Sequence, residues 1–289
     1  MKVSGKLFRF ISIPLILVLL APTGCSSTTF KNVDIEPPAR GILAALKKEQ
    51  TSAQADPSYQ VTITELEGKP LRMGSIELSL GVTKNAGEPV LKYTEDMTKL
   101  MHLIVVSKDL TAFQHVHPKQ IKDNEFQVQL TIPFAGPYLF LTEFRPQKED
   151  VILHKQWIQI DGNQRSNEAL LPDTSWVKSI ANLDISLVSS PAVTEIKAGQ
   201  MVMLLFRFTD KETGKPIKQL EPFLGTSGHC VILSQNADQF VHAHAVEAMS
   251  GGANVMFHSV FPEKGIYKLW GQFQYKGELL TVPFVVEVS

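Results

Sequence analysis

Six of the eight histidines in this chain form two copies of one arrangement. Residues 101–118 read MHLIVVSKDLTAFQHVHP and residues 228–245 read GHCVILSQNADQFVHAHA, so His102, His115 and His117 recur as His229, His242 and His244 at a constant offset of 127 residues. Neutral imidazole is a borderline-soft nitrogen donor, and three on one surface make up a zinc or copper site. The expected metal ligands are therefore His102, His115 and His117 in one copy and His229, His242 and His244 in the other, with copper or zinc as the cofactor.

Such a triad requires a hairpin of the right parity. Residues 102–107 and 113–118 are expected to pair antiparallel, with Lys108-Asp109-Leu110-Thr111 at the turn, where Asp suits a short polar bend. An even number of loop residues sets His102 across from His117 or His115. Residues at i and i+2 share a sheet face, so all three rings then point the same way. Opposed Cβ atoms lie about 4.5–5.5 Å apart, near enough for imidazoles to converge on one ion. The second copy, with Gln235-Asn236-Ala237-Asp238 at its turn, obeys the same parity. The same face carries Ile104, Val106 and Phe113, so the alternative is a set of semi-buried histidines bonded to backbone carbonyls and to each other.

Other reactive side chains carry less. Cys230 follows His229 and must face the opposite side of its strand, which makes it a buried, inert thiol. Met101, Met201, Met203 and Met256 read as core residues. His154 and His258 stand outside the repeat and are expected at surface or edge positions, and Trp157, Trp176 and Trp270 in packing. Glu143 could supply an acid or base beside the first triad, but its counterpart in the second is Gln272. A hydrolytic three-histidine zinc centre is thus a weaker reading. Nucleophile elbows, phosphate loops, zincin motifs and Cys-x-x-Cys pairs are absent.

The elements around these residues read as all-β. Runs rich in Val, Ile, Leu, Phe and Thr recur about every ten residues between Gly, Pro, Asn and Lys, the texture of a sandwich or barrel. In the first half they are 76–82, 102–107, 126–132, 138–144 and 157–160. In the second they are 201–208, 229–234, 255–261, 267–273 and 281–288. Phe113 matches Phe240, Gly136-Pro137-Tyr138 answers to Gly265-Ile266-Tyr267, and Phe144 to Phe273, so a tandem duplication is expected. The expected layout is a β-sandwich at 59–161, a polar linker at 162–182 and a second β-sandwich at 183–289, with Leu170, Leu171 and Trp176 available to a domain interface. Lys and Arg number 28 against 29 Asp and Glu, and the net charge of −1 gives no basis for binding nucleic acid.

Lys2, Lys6 and Arg9 precede an apolar stretch from Phe10 to Ala21, as in a secretory signal. Pro22-Thr23-Gly24-Cys25-Ser26-Ser27 resembles the bacterial lipoprotein signal, with Pro22 where leucine is usual. That resemblance implies a signal peptide at 1–24 and lipidation of Cys25, which would tether the protein to a membrane of the cell envelope, facing the periplasm or the exterior. A plain cleaved secretory signal is the alternative. Residues 25–58 read as a tether with one short helix-capable run from Ala39 to Gln50.

The segments HLIVVSKDLTAFQHVHP, GHCVILSQNADQFVHAHA and FPEKGIYKLWGQFQYKGELLTVPFVVEV resemble secreted bacterial lipoproteins with tandem immunoglobulin-like or cupredoxin-like domains. They are related in flavour to the YtkA-like and FixH-like domains found near copper-handling genes. The resemblance covers both domains and not the tether; it implies a β-sandwich and copper or another envelope metal. The chain departs from electron-transfer cupredoxins, whose site needs a cysteine thiolate with two histidines, because its first domain contains no cysteine. The expected function is metal storage, delivery or sensing by an envelope-anchored lipoprotein. The competing expectation is an immunoglobulin-like module that docks onto another envelope protein without metal.

Overall fold

The computed structural model describes residues 50–51, 55–85 and 87–289. The signal segment, Cys25 and most of the helix-capable run lie outside them. Gln50, the last residue of that run, belongs to a short strand, β1 (Gln50–Thr51), rather than to a helix.

The first domain contains β2 (Tyr59–Glu65), β3 (Gly74–Lys84), β4 (Glu88–Pro89), β5 (Tyr93–Thr94) and β6 (Met101–Ser107). It continues with β7 (Phe113–Val116), β8 (Lys119–Lys122), β9 (Glu125–Ile132), β10 (Gly136–Pro146) and β11 (Ile152–Ile160). One sheet runs β2-β3-β9-β8 and the other β11-β10-β6-β7, with the two-residue strands β4 and β5 on β3 and β10. In β3 the buried residues Ile76, Leu78, Leu80 and Val82 alternate with more exposed ones, the pattern of a strand with one face in a core. That core also holds Leu103, Val105, Phe126 and Phe140.

The second domain contains β12 (Val177–Ile180), β13 (Leu183–Ser190), β14 (Met201–Asp210), β15 (His229–Ser234) and β16 (Phe240–His244). After these come β17 (Asn254–Val260), β18 (Gly265–Tyr275) and β19 (Glu278–Val288). Its sheets are β12-β13-β14-β17 and β1-β16-β15-β18-β19, so a strand preceding the first domain adds an edge to the second domain's histidine sheet. The molecule is thus two tandem β-sandwich domains, as the texture of the sequence implied. Strand β12 falls inside the segment expected to be linker and pairs with β13 along its length.

Strands β6 and β15 are buried at every position, on both faces. Leu103 and Val105 point into the first core, and Cys230 and Ile232 into the second. The alternate residues Ile104, Val106, Val231 and Leu233 enter a third cluster with Leu139, Leu141, Leu153 and Trp270. This cluster joins the β6 sheet of one domain to the β15 sheet of the other. Phe113 stacks on Trp270 across it, with ring centroids 4.5 Å apart and planes 12° from parallel. Two lysines clasp the same interface: Lys155 Nζ donates to Asp238 O at 2.9 Å and Lys268 Nζ to Leu110 O at 2.7 Å, each reaching the hairpin turn of the opposite domain. Of the linker residues, Leu170 packs on this cluster, Trp176 packs on the second core, and Leu171 is exposed.

Candidate metal centre

Each triad is placed by a four-residue turn. Ser107 N donates to Ala112 O at 3.1 Å and Leu110 N to Ser107 O at 2.8 Å; the second copy repeats this with Ser234 N to Gln239 O at 3.0 Å and Ala237 N to Ser234 O at 2.8 Å. Leu110 and Ala237 take the left-handed conformation the bend requires, at φ 56° and 60°. Asp109 Oδ1 accepts from Ser107 Oγ at 2.6 Å, and Asn236 Oδ1 accepts from Ser234 Oγ at 2.7 Å.

The even loop gives the expected parity. Leu103 pairs with Val116 and Ile104 with His115, a register that carries His102 to His117. In the second copy His229 pairs directly with His244, and Val231 with His242. All three rings of each copy therefore share a face, and one ligand nitrogen from each lies within 4.8 Å of the others. His102 Nδ1 is 3.1 Å from His115 Nε2, and His229 Nδ1 is 3.3 Å from His242 Nε2. Ligands at 2.0–2.1 Å in a tetrahedron have nitrogens about 3.3 Å apart, so two rings of each triad already stand at coordination spacing. The two triads could each hold a metal ion.

The outer nitrogens of His102, His115 and His242 are occupied in the manner of ligating histidines, whose second ring N–H is held by a carbonyl or carboxylate. His102 Nε2 donates to the Asp96 carbonyl at 2.9 Å, and His242 Nδ1 donates to Glu143 Oε2 at 2.7 Å. His115 Nδ1 donates to Gln272 Oε1 at 2.7 Å. A backbone carbonyl can only accept, so the lone pair of neutral His102 sits on Nδ1, facing the triad. The Glu143 carboxylate likewise turns the lone pair of His242 Nε2 toward His229.

Burial keeps His115, His117, His229, His242 and His244 in the neutral, ligating form. His115 and His242 are held well below the usual histidine value, first by desolvation and then by neighbouring imidazoles. Desolvation, followed by His102 and Lys99, lowers His117 to about 3, and His229 and His244 are depressed chiefly by burial. Glu143, only 3% exposed, is pushed up to about 7 by burial. Among the described residues, Glu143 Oε1, His117 Nε2 and His229 Nε2 are buried polar atoms without a hydrogen-bond partner. A buried polar atom left without a partner is costly, and a bound cation is one way to compensate it.

Glu143 and Gln272 serve the domains opposite their own, which the sequence reading missed in assigning Glu143 to the first triad. The signal for it was the unbroken apolar run of LIVV and CVIL beside the histidines, since a strand without polar alternation is covered on both faces. Cys230 lies in the second core, facing away from the histidines as expected, and burial pushes its thiol up. Met101 is a core residue, while Met201, Met203 and Met256 are half-buried. His154 and His258 lie on the edge strands β11 and β17, though His258 is buried rather than at the surface, and neither joins a triad. Trp157 is 48% exposed on β11 instead of packed, whereas Trp270 sits in the interface.

These features define a protein of two β-sandwich domains, with three histidines gathered on one sheet of each. The chain belongs to the family described as "Domain of unknown function (DUF8832)", which matches it over residues 53–162 and again over 183–289. No curated protein matches it. Among solved structures, a red sea bream transglutaminase is similar at 11% identity and TM-score 0.24, covering 81% of this chain and 32% of that one. An Escherichia coli alpha-2-macroglobulin activated by porcine elastase is similar at 12% identity and TM-score 0.25, covering 80% and 20%. The chain thus spans about a third and a fifth of the length of these two proteins. Fibronectin(III)-like modules of Clostridium thermocellum CbhA are similar at 8% identity and TM-score 0.20, covering 80% and 94%.

Proposed function

We propose that this chain is an envelope-anchored lipoprotein that binds copper or zinc through the three histidines of each domain, for storage, delivery or sensing of the metal. The observation that carries the reading is the inward-facing lone pair in each triad, at His102 Nδ1 and His242 Nε2, held there by outer acceptors that cannot act as donors while Glu143 is ionised. An all-imidazole set suits zinc and copper, and the position of Cys230 in the core argues against a thiolate electron-transfer site. The resemblance to domains found near copper-handling genes is in keeping with copper or another envelope metal. Three ligands leave a position for water or for a ligand of an exchange partner, and His117 and His244 are the least buried rings of their triads.

Metal analysis of protein purified without a histidine tag tests the reading. Stoichiometric copper or zinc, reduced by His115→Ala combined with His117→Ala, is the expected result. A metal-free protein whose melting temperature is unmoved by added copper or zinc would overturn it and leave the docking-module reading. The anchor has its own test: Cys25→Ser is expected to move the protein from the membrane fraction to the soluble one.

A further inference from the structure

The histidines of the two domains approach one another almost as closely as those within each triad. Inside the triads the ring centroids lie 4.8–5.5 Å apart. Across the interface His115 and His242 are 5.1 Å apart, His102 and His242 5.6 Å, and His115 and His229 6.3 Å. The outer hydrogen bonds cross in the same way. His115 of the first triad is held by Gln272 of the second domain, and His242 of the second by Glu143 of the first. Glu143 pairs in register with His102, and Gln272 with His229, so each crossing residue stands beside a ligand of its own domain while orienting a ligand of the other.

We propose that the two triads form one paired metal centre, assembled across the domain interface, in which each domain orients a ligand of its partner's ion. The proposal rests on the metal-binding reading above. An ion coordinated by imidazole lies about 3 Å from the ring centre, so ions on His115 and His242 are at most about 12 Å apart whatever the angle. The pair is unequal by construction. The carboxyl group behind His242, once ionised, makes that imidazole a stronger donor than the neutral amide makes His115. The second triad therefore fills first. Interface packing and metal loading are linked, because separating the domains would strip His115 and His242 of the groups that aim them.

Copper(II) alone, added to the full chain, is the probe. Two ions per chain are expected to bind in two steps, and electron paramagnetic resonance at full loading is expected to show the dipolar broadening of two neighbouring spins. Glu143→Gln, in a chain whose first triad has been removed by His102→Ala and His117→Ala, is expected to weaken the remaining site about 10- to 100-fold. Two ions that bind with unbroadened, isolated spectra, together with no effect of Glu143→Gln on the second triad, would overturn the pairing while leaving separate metal sites intact. Binding of no copper would overturn the metal-binding reading itself. If His102→Ala with His117→Ala fails to fold, Gln272→Glu in the otherwise native chain serves instead. It is expected to tighten the first site and merge the two steps, and two unchanged steps would again overturn the pairing.

Discussion

Glu143, on β10 of the first domain, accepts a 2.7 Å hydrogen bond from Nδ1 of His242, on β16 of the second. Both side chains are nearly inaccessible to solvent, so the bond exists only while the two sandwiches are packed together. The corresponding bond from His115 to Gln272 runs the other way across the same interface. Orientation of the candidate ligands is therefore a property of the pair of domains.

The interface should behave as part of the folded core. Truncating Trp270, buried at 2% exposure and stacked on Phe113, is expected to cost about 3–5 kcal/mol, as for other large aromatic deletions. Leu279, 47% exposed on β19, should change stability by no more than about 0.5 kcal/mol when made alanine. Urea denaturation measures both, and equal small losses would contradict the packing.

Metal-free protein should lose stability in mild acid. His115 and His242 sit well below 6.5 when folded and His117 at about 3, so between pH 6.5 and 4.5 the unfolded chain takes up protons that the folded rings refuse. Glu143 works in the opposite sense: raised to about 7, it gains native stability as pH falls toward 4.5. These three rings, joined by the likewise depressed His229 and His244, outweigh one carboxylate, for a net loss of at least about 2 kcal/mol per pH unit. A denaturation midpoint that stays level from pH 7 to 4.5 would contradict this balance.

Cys230 should be silent. Its thiol is fully buried in the second core and raised by that burial, so a thiol reagent is expected to reach it only after denaturation. Cys230→Ala should leave copper and zinc uptake unchanged, read by metal analysis of the purified variant; reduced uptake would make the thiol a ligand.

The two lysine clasps give a milder test. Lys155 and Lys268 each donate to a turn carbonyl of the opposite domain. Replacing both by methionine keeps the aliphatic stems and removes two charge-assisted hydrogen bonds, for an expected loss of about 2–4 kcal/mol in urea denaturation. A variant as stable as the parent would show the clasps to be incidental.

The repeat, the strand texture and the parity of the histidine hairpins were all legible in the residues. Each depends on local rules: a period of two along a strand, and a four-residue bend whose even count puts His229 opposite His244. The orientation of Cys230 into the core follows from the same alternation. Trp157 and β12 were misread because exposure on an edge strand and pairing of a short polar segment depend on neighbours far away in sequence.

Only the tertiary structure decided what the histidine faces meet. Ile104, Val106, Val231 and Leu233 mark those faces as apolar but do not name their cover, since any apolar surface of fitting shape could supply it. Packing of the two sheets chose each domain as cover for the other. That choice carried Glu143 to His242 and Gln272 to His115, partners separated by 99 and 157 residues. Burial is non-directional whereas a hydrogen bond is directional, so the apolar pattern signals that a face is covered, and the folded packing determines which side chain ends in contact with which ring.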